Sequence, residues 1–293
     1  MDLVDSSTVL KNGSFIYDSF CKQFSSKQKV PISDIIDVAP WLLESDVKFN
    51  GAVISIDDKN DIVWHCGTWC SGTWRYGKWE SGTWLGGIWR HGIWKSGVWL
   101  GGHWKNGEWL SGTWHHGIWD IGNWRGGTWE YGVWHEGTWF DGEWLGGSWC
   151  DGLWNAGTWY DGVWYTGGWD SGIWKKGTWR NGIWFSGVWE SGTWLRGEWC
   201  TGTWLDGRWE SGEWKQGEWY NGDWLSGDWE FGDWFNGIRY SGTWCGGEWH
   251  GGIWLDGSWL DGIFISGQWL DGKWLGGTWL SGYIDNIVSN VHP

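Results

Sequence analysis

The chain has 293 residues, of which 43 are Trp and 54 are Gly, and carries a formal net charge of −15. So many aromatic side chains exclude intrinsic disorder, and 35 acidic against 20 basic residues argue against electrostatic capture of nucleic-acid phosphates or anionic lipid. No long apolar run suggests a membrane helix and no charged-then-apolar leader opens the sequence, so cytoplasmic synthesis is the expectation.

Residues 1–63 have mixed composition and read as an N-terminal α+β cap. A short helix is predicted around Ile32 to Ile36, and another around Trp41 to Ser45 after Pro40. A strand pair is predicted across Val47 to Val63.

From Trp64 onward the chain is one repeat. Every fifth residue from Gly67 to Gly282 is Gly, and every fifth from Trp64 to Trp279 is Trp, except at Arg239 and Phe264. The unit is G-x-W-x-x without insertion over 64–282. Gly at every fifth position rules out helix, since each costs about 1 kcal/mol relative to Ala. The small or turn-forming residue before Gly, as in Asn106-Gly107 and Asp206-Gly207, marks a tight corner that needs positive φ. Each unit is therefore a strand of a few residues centred on Trp, followed by a corner. The Trp side chains, among them Trp69, Trp114, Trp164, Trp204 and Trp254, are assigned to the core, because exposing them would create an apolar patch no soluble monomer tolerates. Their indole N–H groups then need acceptors, most cheaply the corner carbonyls.

Two architectures share this grammar. A narrow antiparallel β-meander would set Lys105 opposite Glu108 and Lys215 opposite Glu218, which attract, but Arg75 opposite Lys78, Glu210 opposite Glu213 and Glu230 opposite Asp233, which repel, so it gains no support. A solenoid predicts instead that the residue after each Trp resembles the one stacked on it a coil later. Apolar or polar class agrees more often at a spacing of 20 residues than at 15 or 25. The expectation is an all-β, four-sided β-helix of about 11 coils, on the order of 50 Å long at one strand spacing per coil.

A five-residue unit with a large apolar centre and a small residue two positions before it resembles the pentapeptide-repeat proteins. Here Gly stands at their Ala position and Trp at their Leu or Phe. The resemblance implies a four-sided β-helix, and some acidic members of that family are similar to B-DNA and bind a DNA-processing enzyme. Pentads this strict are also similar to those of viral and phage proteins.

Under a 20-residue register, Leu145, Tyr165, Phe185, Leu205, Leu225, Cys245 and Ile265 form an apolar wall. Asp170, Glu190, Glu210 and Glu230 form an acidic column, and Arg75, Lys95, His115, His135 and Lys175 a basic one. Near the C terminus, Leu255, Leu260, Ile265, Leu270, Leu275 and Leu280 put apolar groups on every face in succession, a ring expected to be covered by the segment 283–293, by a second copy or by another protein. Glu213, Glu218, Asp223, Asp228 and Asp233 circle the coil as a solvated acidic belt. Calcium would need more convergent oxygens than flat columns provide, so no metal, cofactor or catalytic residue is assigned. The six Cys have no zinc-finger spacing, and reduced thiols are expected.

The functional expectation is a non-enzymatic, rigid structural or interaction solenoid that binds a protein partner or itself, a virion or fibre component being one setting. The alternatives are an acidic DNA mimic bound by a DNA-processing enzyme, with no direct nucleic-acid binding, and a carbohydrate-binding solenoid.

Overall fold

A computed structural model describes residues 37–284. Within the chain two compact units are distinguished, Met1–Gly147 and Ser148–Pro293, and both are built from the same coil.

The first unit begins with a cap. The helix expected at Ile32 to Ile36 lies outside the described residues. The one expected from Trp41 to Ser45 is instead a single 3₁₀ turn, Pro40–Leu43, since Pro fits a first turn but the segment is too short to continue. Strands β1 (Lys48–Ile56) and β2 (Ile62–Ser71) pair antiparallel, with Phe49 opposite Trp69 and Ile54 opposite Trp64. Phe49 lies edge-on to Trp64 at 5.5 Å and stacked on Trp69 at 6.3 Å, and Trp41 lies edge-on to Trp74 at 5.1 Å. The first three repeat indoles are thus covered by aromatic rings.

Each later pentad contributes a two-residue strand ending on Trp or its substitute, and these strands pair in parallel with the strand 15 residues away. Trp64 pairs with Trp79 and Trp79 with Trp94 in the first unit; Trp184 pairs with Trp199 and Trp199 with Trp214 in the second. Parallel pairing excludes the meander. The spacing also corrects the coil: it has three sides and three pentads in place of four, and about 15 coils in place of 11. The fold is a parallel β-solenoid with a five-residue repeat.

Why three sides suffice follows from the core. Successive indoles around a coil meet edge to face, as Trp109 and Trp114 do at 6.0 Å and 74°. Indoles one coil apart stack nearly parallel, as Trp99 and Trp114 do at 4.7 Å and 6°. The stack spacing matches the distance between hydrogen-bonded strands, so backbone ladder and ring stack share one repeat. Three indoles in edge-to-face contact fill the axis at native packing density, each pair adding about 0.5–1.5 kcal/mol beyond area burial. Repeat Trp side chains from Trp64 to Trp259 are completely buried, as is Phe264.

Glycine is fixed by the same closeness. At Gly212, φ is +131°, and a Cβ would lie 2.4 Å from the Gly197 carbonyl oxygen one coil below. The residue before Gly secures the corner in one of two ways. Asp and Asn side chains accept a hydrogen bond from the following glycine N–H, as at Asp206 (2.8 Å) and Asn106 (2.7 Å). Ser hydroxyls donate to a carbonyl on the coil below, as Ser211 does to Leu195 (3.1 Å).

The indole N–H groups depart from expectation. Trp229 Nε1 donates to the Gly246 carbonyl at 3.2 Å, but those of Trp84, Trp94 and Trp204, for example, make no hydrogen bond. Ring packing sets the indole orientation, and Trp84 Nε1 is left against the backbone at the Gly102 corner, 3.3 Å from where a Cβ there would stand.

Candidate functional site

Because side chains alternate along a strand, the residues before and after each Trp both point outward while Trp points in. With a 15-residue coil, each outward position stacks on the same position one coil away. The surface is therefore a set of ladders.

The ladders are complementary. Lys95 reaches Glu80 at 2.8 Å, Lys105 reaches Asp120 at 2.8 Å, Lys175 reaches Glu190 at 2.6 Å and Lys215 reaches Glu230 at 2.7 Å, each 15 residues apart. Arg125 lies over Phe140 at 4.0 Å and Arg180 over Tyr165 at 4.8 Å. The ion pairs are largely exposed, so each is worth at most about 1 kcal/mol. They explain why matching apolar class misread the period: Arg180 on Tyr165 and His250 on Phe235 are contacts between unlike classes. Opposite charges at a spacing of 15 were the signal that identifies the coil.

The apolar wall is not one surface. Within the second unit, Leu205, Ile265 and Leu280 follow one column of strands, Phe185 and Leu275 a second, and Tyr165, Leu225 and Leu270 the third. Leu145 belongs to the first unit, where its N–H bonds the Trp129 carbonyl. The expected acidic and basic columns are dispersed in the same way. Trp69, Trp114, Trp164, Trp204 and Trp254 are fully buried, so none of these five indoles presents a flat face on which a sugar could stack.

The C-terminal apolar residues are brought together. With three sides, Leu255 to Leu280 cover every face twice. Leu275, Leu280 and Tyr283 are 65%, 62% and 59% exposed, and Trp274 and Trp279 are only half-buried.

The acidic belt becomes ladders as well. Glu198, Glu213 and Asp228 stack in register on one column, and Glu218, Asp233 and Glu248 on another. A groove of about 340 Å³ runs beside the second column, lined by Thr203, Glu218, Asp233, Gln216 and Phe231 among others.

Arg239 replaces a core Trp and is completely buried. Its guanidinium lies between the rings of Trp224 and Trp254 at 5.0 and 4.8 Å, with no hydrogen bond from Nε or either terminal nitrogen. Burial pulls its pKa down to about 9.

Cys66 is disulfide-bonded, which corrects the expectation of reduced thiols throughout, whereas Cys70, Cys150, Cys200 and Cys245 are free. Burial raises the pKa of all four free thiols. Among the described residues no helix is long and apolar enough to cross a membrane. No protein-family model, curated protein or solved structure matches the chain.

Proposed function

We propose that the protein is a non-enzymatic structural or interaction solenoid, which presents ladders of side chains and assembles through its C-terminal coil with a protein partner or a second copy of itself. The observation that supports this reading is the contrast between ends. Phe49 and Trp41 cover the first indoles of the first unit, whereas in the second unit Leu275, Leu280 and Tyr283 stand more than half exposed beside Trp274 and Trp279. Among the described residues no further strand pairs beyond Trp274, Trp279 and Ile284, and a sheet edge flanked by apolar groups invites pairing.

Sedimentation and light scattering of the full chain test the proposal. Self-association at tens of micromolar that is abolished by Leu275→Glu with Leu280→Glu, and unchanged by Glu190→Gln with Glu210→Gln, supports a second copy as the partner. A monomeric parent leaves only a foreign protein. A parent whose association the Leu variants do not alter removes the C-terminal coil as the interface.

A further inference from the structure

The acidic ladders pose an electrostatic problem that ion pairs between coils solve at several other places on the surface. Like charges directly opposite on neighbouring strands are destabilising, and parallel strands lie roughly 4.8 Å apart. At Glu80, Asp120, Glu190 and Glu230 an outward carboxylate faces a cation one coil away. The Glu198, Glu213, Asp228 column has Lys215 at 2.9 Å from Glu213. In the Glu218, Asp233, Glu248 column, no Lys or Arg among the described residues forms an ion pair with any of the three. Its polar neighbours are of another kind: the Tyr220 hydroxyl donates to Glu218 at 3.1 Å, and His250 Nε2 lies 3.4 Å from Glu248.

His250 is held there by its ring. It stacks on Phe235 at 4.7 Å and 18°, and Phe235 stacks on Tyr220 at 4.7 Å and 21°. This three-ring ladder runs beside the three-carboxylate ladder. The result is that one carboxylate oxygen of Asp233, one of Glu248 and one imidazole nitrogen of His250 all lie within 4.8 Å of one another. The side chains of Glu248 and His250 are 47% and 33% exposed, so an ion in solution reaches them.

We propose that Asp233, Glu248 and His250 bind a divalent first-row transition ion of the zinc type. An imidazole nitrogen with two carboxylates suits zinc, nickel or copper better than calcium or magnesium, which prefer oxygen alone. Calcium takes six to eight oxygens, more than two adjacent carboxylates supply. Zinc–ligand bonds of about 2.0–2.2 Å require the three donors to draw together, by side-chain rotation at partly exposed positions. Three protein ligands leave the remaining coordination position to water or to an incoming group. The ion neutralises the column that lacks a cation of its own.

The test uses the full chain, stripped with a chelator and titrated with Zn²⁺ by calorimetry. One saturating ion per chain is expected at micromolar affinity or tighter, undisturbed by millimolar Ca²⁺ or Mg²⁺. His250→Phe keeps the ring stack and removes the nitrogen, so it should weaken binding at least tenfold. Asp233→Asn should do the same while raising the melting temperature of the metal-free protein, because a like charge has gone; that rise separates a lost ligand from a lost fold. His115→Phe, at an imidazole that pairs with Glu130, should bind as the parent. The proposal is overturned by absence of saturable Zn²⁺ binding, by His250→Phe binding as the parent does, or by Ca²⁺ competing on equal terms.

Discussion

Arg239→Trp should stabilise the protein. The guanidinium occupies the place of one indole rung, 5.0 Å from the ring of Trp224 and 4.8 Å from that of Trp254. Burial lowers its pKa to about 9 from an ordinary 12.5; at about 1.36 kcal/mol per pH unit this is on the order of 5 kcal/mol against the charged form. The two close desolvated cation–π contacts return about 2 kcal/mol each and the longer one to Trp244 at 5.9 Å adds less, so Arg239 comes close to break-even. An indole there would remove the buried charge and gain two stacked contacts worth about 0.5–1.5 kcal/mol each. The net gain is therefore about 2–4 kcal/mol, in line with replacing buried charges by well-packed apolar groups. Urea melts followed by far-UV circular dichroism should move to higher denaturant, and Arg239→Lys should move them lower, because an ammonium is more strongly hydrated and cannot stack as a plane. An Arg239→Trp variant no more stable than its parent would refute the reasoning and mean that the guanidinium is satisfied in the core.

Adjacent glycines should behave oppositely. Gly87→Ala puts a Cβ 2.3 Å from the Gly72 carbonyl at a φ of +113° and should cost more than about 3 kcal/mol, whereas Gly86→Ala meets nothing within 4 Å and should change stability by less than about 1 kcal/mol in urea melts. Lys78 hydrogen-bonds Asp57 and holds its carboxyl below the usual carboxylate range. Its contribution is therefore present at neutral pH and lost as the pH falls through that lowered value; Lys78→Met should remove this part of the acid dependence in a circular dichroism titration. The thiols of Cys150 and Cys200, raised chiefly by burial, should alkylate slowly at neutral pH in the native protein and rapidly in urea.

Much of the fold is legible in the sequence because its two strongest constraints are local. Positive φ at each corner demands Gly, and a closed apolar axis demands a large ring, so strand, corner and inward side chain can be read from any single pentad. The number of pentads per coil is not local. It depends on how indoles meet across the axis, and edge-to-face packing of three rings is not visible in one unit. The outward residues do record the period, but through complementarity, as in Lys105 beneath Asp120, rather than likeness. The apolar wall dissolved for that reason, while the C-terminal ring survived because apolar residues at every outward position after Trp cover all faces in any register. The cluster of Asp233, Glu248 and His250 could not be seen until residues 15 apart were neighbours.

The coil itself is tested most directly by a disulfide. Leu260 stands one 15-residue coil from the free thiol of Cys245, and its N–H bonds the Trp244 carbonyl. Adjacent parallel strands lie at about 4.8 Å, within the Cα separation that a disulfide spans. Under mild oxidation, peptide mapping of Leu260→Cys should show a bond to Cys245, and Ile265→Cys, 20 residues away, should show none. A bond from Ile265→Cys but not from Leu260→Cys would contradict the three-sided coil and restore the four-sided one.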